Sequence, residues 1–207
     1  MNVYRILIAL LAPALFLAAP VSTSAALPPP TNTAPLLTPT HVDWTNDIRR
    51  AYYRIGKTEI KATLMQLGSL ENFSLWQGRK ILFEHSFPVP KTSYGEVGAF
   101  TNGGQTFFYY QSNTELAWMP NRHISGRVVI VGKSPKTGAY RVYVDSADYY
   151  NPSPDDFQVI LGHAELDGAP VMRLGFGKGL FSEIGAVMKS YYLQYDPQSD
   201  SFVYEER

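Results

Sequence analysis

The chain reads as an all-β domain, a mainly antiparallel meander of sandwich or barrel-like form with at most one or two short helices. Three observations carry this. Five strand-like pairs separated by turn residues follow one another, helical periodicity is almost missing, and the chain is rich in the aromatic and β-branched residues that suit pleated surfaces. The 207 residues are 45% apolar, 17% charged and 14% aromatic, the composition of a chain that folds.

In chain order, Met1–Ala26 has one charge, Arg5, then an apolar run from Ile6 to Ala19, then Pro20-Val-Ser-Thr-Ser-Ala-Ala26. This is the three-part form of a secretory signal peptide, and the run is too short to cross a hydrocarbon core, which takes roughly 20 residues. Cleavage is expected after Ala25 or Ala26, with no stable membrane insertion afterwards. Residues 27–43 carry Pro28, Pro29, Pro30, Pro35 and Pro39 and read as an extended tether. Residues 44–207 form one domain by ordinary size.

Within it, Thr45 is placed to cap a helix over Asn46–Arg54, and Arg54–Leu67 alternates loosely as a strand. The first hairpin is Phe73–Trp76, Gln77-Gly78, Arg79–Glu84. The second is Glu96–Thr101, Asn102-Gly103-Gly104, Gln105–Gln111. The third is Gly126–Val131, Ser134–Gly138, Ala139–Asp145. The fourth is Phe157–Leu166, Asp167-Gly168, Pro170–Phe176, and the fifth is Ser190–Asp196, Pro197–Ser201, Phe202–Glu205. Leu180, Ile184, Val187 and Met188 suggest one short helix over 180–189. Phe107–Tyr110 and Val128–Val131 are unbroken apolar or aromatic runs, which suit strands covered on both faces better than the lipid-and-lumen alternation of a membrane barrel.

Charge and composition then narrow the chemistry. Lys plus Arg and Asp plus Glu number 18 each, so the chain lacks the net basic footprint of a nucleic-acid binder. With no cysteine it has no disulfide, thiolate nucleophile or Cys-ligated metal, and a cysteine-free exported protein points to a bacterial envelope or secretion route. Gly132-Lys133-Ser134 has the tail of a phosphate loop, but Pro135 and Gly138 make it a hairpin turn. Gly175-Phe-Gly-Lys-Gly179 offers flexible amides beside a lysine, without the strand-turn-helix unit of an anion nest.

His163, Glu165 and Asp167 share one strand face by their spacing, yet they read best as a solvent face running into a turn. Asp145, Asp148, Asp155 and Asp156 crowd one loop but lack the alternate-ligand pattern of a helix-loop-helix calcium site. No Gly-x-Ser-x-Gly elbow is present, and no carboxylate pair stands out for glycoside cleavage.

No cofactor is expected. What stands out is aromatic and arginine content in loops, Trp118-Met-Pro-Asn-Arg122-His123 and Tyr149-Tyr150-Asn-Pro-Ser-Pro154. Trp118, Arg122, Tyr149 and Tyr150 are the candidate binding residues, because such side chains bury a large area with few rotors and still find a polar partner. The function expected is an exported, periplasmic or extracellular, non-catalytic module that recognises a protein partner in the bacterial envelope. The alternatives are a secreted hydrolase of envelope polysaccharide or peptide, and a carbohydrate- or lipid-binding β domain.

Overall fold

The computed structural model describes residues 36–45, 47–68, 70–88, 93–114, 127–149, 157–166, 169–178 and 187–206. They form three antiparallel sheets, each a meander in which consecutive strands pair. The first holds β1 (His41–Trp44), β2 (Ile48–Ile55), β3 (Thr58–Leu67), β4 (Leu70–Gln77) and β5 (Lys80–Pro88). The second holds β6 (Ser93–Asn102), β7 (Gln105–Thr114), β8 (Arg127–Lys133) and β9 (Tyr140–Asp145), followed by a four-residue helix, α1 (Ser146–Tyr149). The third holds β10 (Phe157–Leu166), β11 (Ala169–Lys178), β12 (Val187–Asp196) and β13 (Ser201–Glu206). The strand pairs of all five expected hairpins are present among the described residues.

The second sheet lies between the other two. Alternation along β7 sends Phe107 and Tyr109 into one core and Phe108 and Tyr110 into the other. Phe107, Tyr109, Val128 and Ile130 pack against Met172, Leu174, Tyr191, Leu193 and Tyr195 of the third sheet. Phe108, Tyr110, Val129 and Val131 pack against Ala51, Tyr53, Leu64, Phe73 and Leu75 of the first. Val128, Val129, Ile130 and Val131 are all 0% exposed, which is what the unbroken apolar run requires. Burying each such side chain is worth about 1.5–3 kcal/mol. The architecture is therefore a sandwich with a third layer; each described sheet keeps two edge strands, so none is closed into a barrel.

Two helix expectations are corrected. Thr45–Arg54 is not a helix: Ile48–Ile55 is β2, paired with β3 from Ile48↔Met65 to Ile55↔Thr58. Ala51 and Tyr53 are buried at a spacing of two, and the Thr45 N–H donates to the Ile48 carbonyl at 2.9 Å, closing the β1–β2 turn instead of capping a helix. The core offered by the second sheet outweighs the local capping signal. Arg54–Leu67 is likewise not one strand, because Gly56 at φ 60° turns the chain between β2 and β3. Val187 and Met188, expected at the end of a helix, begin β12, with Val187 paired to Gly177. Residues 180–186 of that expectation lie outside the described residues.

The tight turns at 56–57, 78–79, 103–104, 134–139 and 197–200 gather at one end of the stack. The longer connections, from Thr114 to Arg127 and from Tyr149 to Phe157, depart from the opposite end.

Candidate binding cleft

At the turn end an open cleft of about 750 Å³ separates the first two sheets. Ile55, Thr58, Ile60 and Gln77 come from β2, β3 and β4, and Lys80, Ile81 and Leu82 from β5. The second sheet contributes Gln105, Thr106 and Phe108 from β7, Lys133 from β8 and Tyr140 from β9.

Local chain geometry builds this lining. Trp76 pairs with Ile81 and Leu75 with Phe83, so Leu82 is the extra residue of a β-bulge. That irregularity lets both Ile81 and Leu82 face the cleft, Leu82 resting on the first core while Ile81 stays 45% exposed. Gly104 and Gly138, at φ 78° and 71°, turn the chain tightly at the mouth, with open space where a Cβ would stand. Burial pushes the Tyr140 hydroxyl above the ordinary tyrosine range.

The electrostatics are one-sided. Lys80 and Lys133 line the cleft, and Lys57, Arg79 and Lys136 lie in the turns beside them. The ion pairs Arg50–Asp43, Arg127–Asp145 and Arg141–Asp200 leave Lys57, Arg79, Lys80 and Lys133 out, while Lys136 turns to the third sheet, its Nζ donating to the Ser199 carbonyl at 3.0 Å. Of the neighbouring carboxylates, Asp196 accepts from the Gln198 and Ser199 amides at 2.9 and 3.2 Å and feels the Lys136 charge, and Glu59 is the register partner of Arg54 in the β2–β3 ladder.

Asp200 holds the cleft's outer wall in place. This buried residue stands at φ 56° in the β12–β13 turn. It accepts from Ser134 Oγ at 2.6 Å, Tyr143 Oη at 2.5 Å and Tyr195 Oη at 2.8 Å, with Arg141 at 3.4 Å. A second bulge supplies one donor: Ile130 pairs with Val144 and Val131 with Val142, which leaves Tyr143 as the extra residue. Burial opposes ionisation of Asp200, but the Ser134, Tyr143 and Tyr195 hydrogen bonds and the Arg141 charge outweigh it and hold the carboxyl at about 2. The β8–β9 turn, which carries Gly138 and Ala139 of the lining, is thereby tied to the third sheet.

The sequence-derived candidates fare differently. Trp118, Arg122 and Tyr150 lie outside the described residues, and Tyr149 is the last residue of α1. The described strand ends that flank the segments carrying them, Thr114, Arg127, Asp145 and Phe157, lie at the end of the stack opposite the cleft. His163 and Glu165 fall two apart in β10, while Asp167 is outside the described residues. Asp145 of the acidic loop is taken by Arg127, with Nε at 3.0 Å, and by the Ala147 amide at 3.1 Å. Among the described residues no three His, Asp or Glu side chains converge as a metal site. Gly175–Lys178 is ladder in β11, so those described residues form strand and no anion nest. Gly132-Lys133-Ser134 is the strand end and hairpin turn expected of it, yet Lys133 belongs to the cleft.

Sequence reasoning missed the cleft. Its signal was present in the basic residues beside three hairpin turns, Lys57, Arg79-Lys80 and Lys133 with Lys136, but only the stacking of two sheets brings them together. No protein-family model, curated protein or solved structure matches the chain.

Proposed function

We propose that the protein is an exported, non-catalytic binding module that recognises a protein partner in the bacterial envelope, as an inhibitor, an immunity-type antidote or an assembly factor. The observation that carries this reading is the cleft. Its lining is lysine, amide, hydroxyl and apolar side chain, a set suited to holding a ligand, whereas acid–base catalysis draws on carboxylates or imidazoles set against a reacting group. The cleft stands on a three-sheet stack with two aromatic cores, a rigid support for recognition. Export rests on the signal-peptide form of residues 1–26. Trp118, Arg122, Tyr149 and Tyr150 are proposed as further contact residues, from their residue types alone.

The test is affinity capture from host envelope and culture medium with the full chain carrying a C-terminal tag, read by mass spectrometry. A stoichiometric protein partner is expected. Its loss on replacing Trp118 and Tyr150 by Ala would assign the loops a share in recognition, and retained capture would remove them from it. Capture of nothing by a folded wild-type protein overturns the binding-module reading.

A further inference from the structure

We infer that the cleft takes an acidic, extended segment of the partner protein, laid along the edge strand β5 with its carboxylates on Lys80 and Lys133. This rests on the binding-module reading and adds the chemistry of what is bound.

Charge is the first argument. The chain as a whole is neutral, with 18 basic and 18 acidic residues, yet Lys80 and Lys133 line the cleft, Lys57 and Arg79 stand in the turns beside it, and none of these four joins the ion pairs found among the described residues. Like charges gathered around one concavity repel one another and raise the local concentration of anions, so an anionic ligand gains both contact energy and association rate.

The backbone is the second argument. Among the described residues β5 pairs with β4 only, so its outer edge carries a row of N–H and C=O groups outside the ladder, and its Lys80, Ile81 and Leu82 line the cleft. An extended peptide satisfies such a row by strand addition, which a glycan or a lipid headgroup cannot do.

The remaining lining is the third argument. Ile55, Ile81, Leu82 and Phe108 are apolar parts of the lining, and Gln77 and Gln105 offer amides that donate and accept. An extended segment sends alternate side chains to opposite faces, so acidic residues alternating with apolar ones match a lining that holds both lysines and apolar side chains.

The experiment measures fluorescence anisotropy of the full chain with a labelled eight-residue peptide alternating Glu and Val. A Lys–Val peptide, polygalacturonate and phosphatidylglycerol vesicles serve as the other probes. Saturable binding of the Glu–Val peptide is expected, weakening about ten-fold or more as salt is raised from roughly 50 to 500 mM, over which the screening length falls from about 14 to 4 Å. The Lys80→Glu, Lys133→Glu double variant should weaken it by at least about ten-fold, with Lys80→Ala, Lys133→Ala intermediate. Both lysines are exposed, so the variants should keep the wild-type circular dichroism spectrum and unfolding midpoint, and both are measured.

No binding of the Glu–Val peptide, equal affinity in the charge-reversed variant, or binding only of polygalacturonate or vesicles would each overturn the inference. Capture of a partner that is indifferent to charge reversal at Lys80 and Lys133 overturns the inference while leaving the binding-module reading intact. Absence of any captured partner overturns that reading itself.

Discussion

Replacing Asp200 by alanine removes the acceptor on which Ser134, Tyr143 and Tyr195 converge and the partner of Arg141. Hydrogen bonds to a charged acceptor contribute roughly 1.5–3 kcal/mol each. The three hydroxyl donors therefore set an upper range of about 4.5–9 kcal/mol, before relaxation. Tyr143 is half-buried and Arg141 exposed, so both can turn to water, and the expected loss falls to about 3–4 kcal/mol. Part of it belongs to the backbone. At φ 56° alanine meets the left-handed penalty that Asp and Asn tolerate, so Asp200→Gly should be about 1 kcal/mol more stable than Asp200→Ala. Asp200→Asn keeps that tolerance and one acceptor oxygen, and should cost about 2 kcal/mol.

The same group sets an acid limit. Its folded value of about 2 lies below the ordinary 3.8, so the stability it contributes is fully present above about pH 4 and is lost as pH falls through about 2. That contribution is on the order of 2 kcal/mol, and the Asn variant should lack its share of the slope between pH 4 and 2. The assay is urea unfolding at several pH values with m held as a check on two-state behaviour. A loss below about 1 kcal/mol in Asp200→Ala, or an acid slope unchanged in Asp200→Asn, would refute the role given to this carboxylate.

Three other substitutions test the packing that holds the cleft. A Cβ on Gly98 would stand 2.2 Å from the Tyr109 ring, which lies across its directly paired strand position in a full core, so Gly98→Ala should cost about 1–3 kcal/mol and lower Tm by about 2–12 °C. An unchanged Tm would show that the ring can move aside. Gly138→Ala meets open space and pays only for φ 71°, so about 1 kcal/mol is expected from urea midpoints, and a loss as large as that of Gly98→Ala would mean that the turn is packed. Tyr110→Phe withdraws the hydroxyl that donates to the buried Glu71 carboxylate across the first core, at a cost of about 1–3 kcal/mol in urea unfolding. Burial and the Glu71 charge push that hydroxyl far above the ordinary tyrosine range, so it should show no ionisation up to pH 11 by ultraviolet titration, and a titrating Tyr110 would contradict its placement.

Much of the fold is legible in the sequence because its signals are local. A glycine at positive φ between two period-2 runs makes a hairpin whatever lies elsewhere, and Gly78, Gly103, Gly104 and Gly138 do so. The runs Phe107–Tyr110 and Val128–Val131 announce strands with no wet face, and both faces of β7 and β8 are indeed covered. The reading failed at Thr45–Arg54, where a local cap signal competed with a β3 partner and a core that lie beyond that segment.

The site was less legible than the fold. Asp200 meets Ser134 across 66 residues and Tyr143 across 57, and no spacing in the chain marks that meeting. Composition and turn chemistry thus determined by themselves that this is an antiparallel meander whose strands run between tight hairpin turns. Tertiary structure alone decided that the meander breaks into three stacked sheets and that basic residues beside distant turns share one cleft. Hairpins are closed by neighbours in sequence, whereas the stacking of sheets and the gathering of charge depend on contacts between segments far apart in the chain.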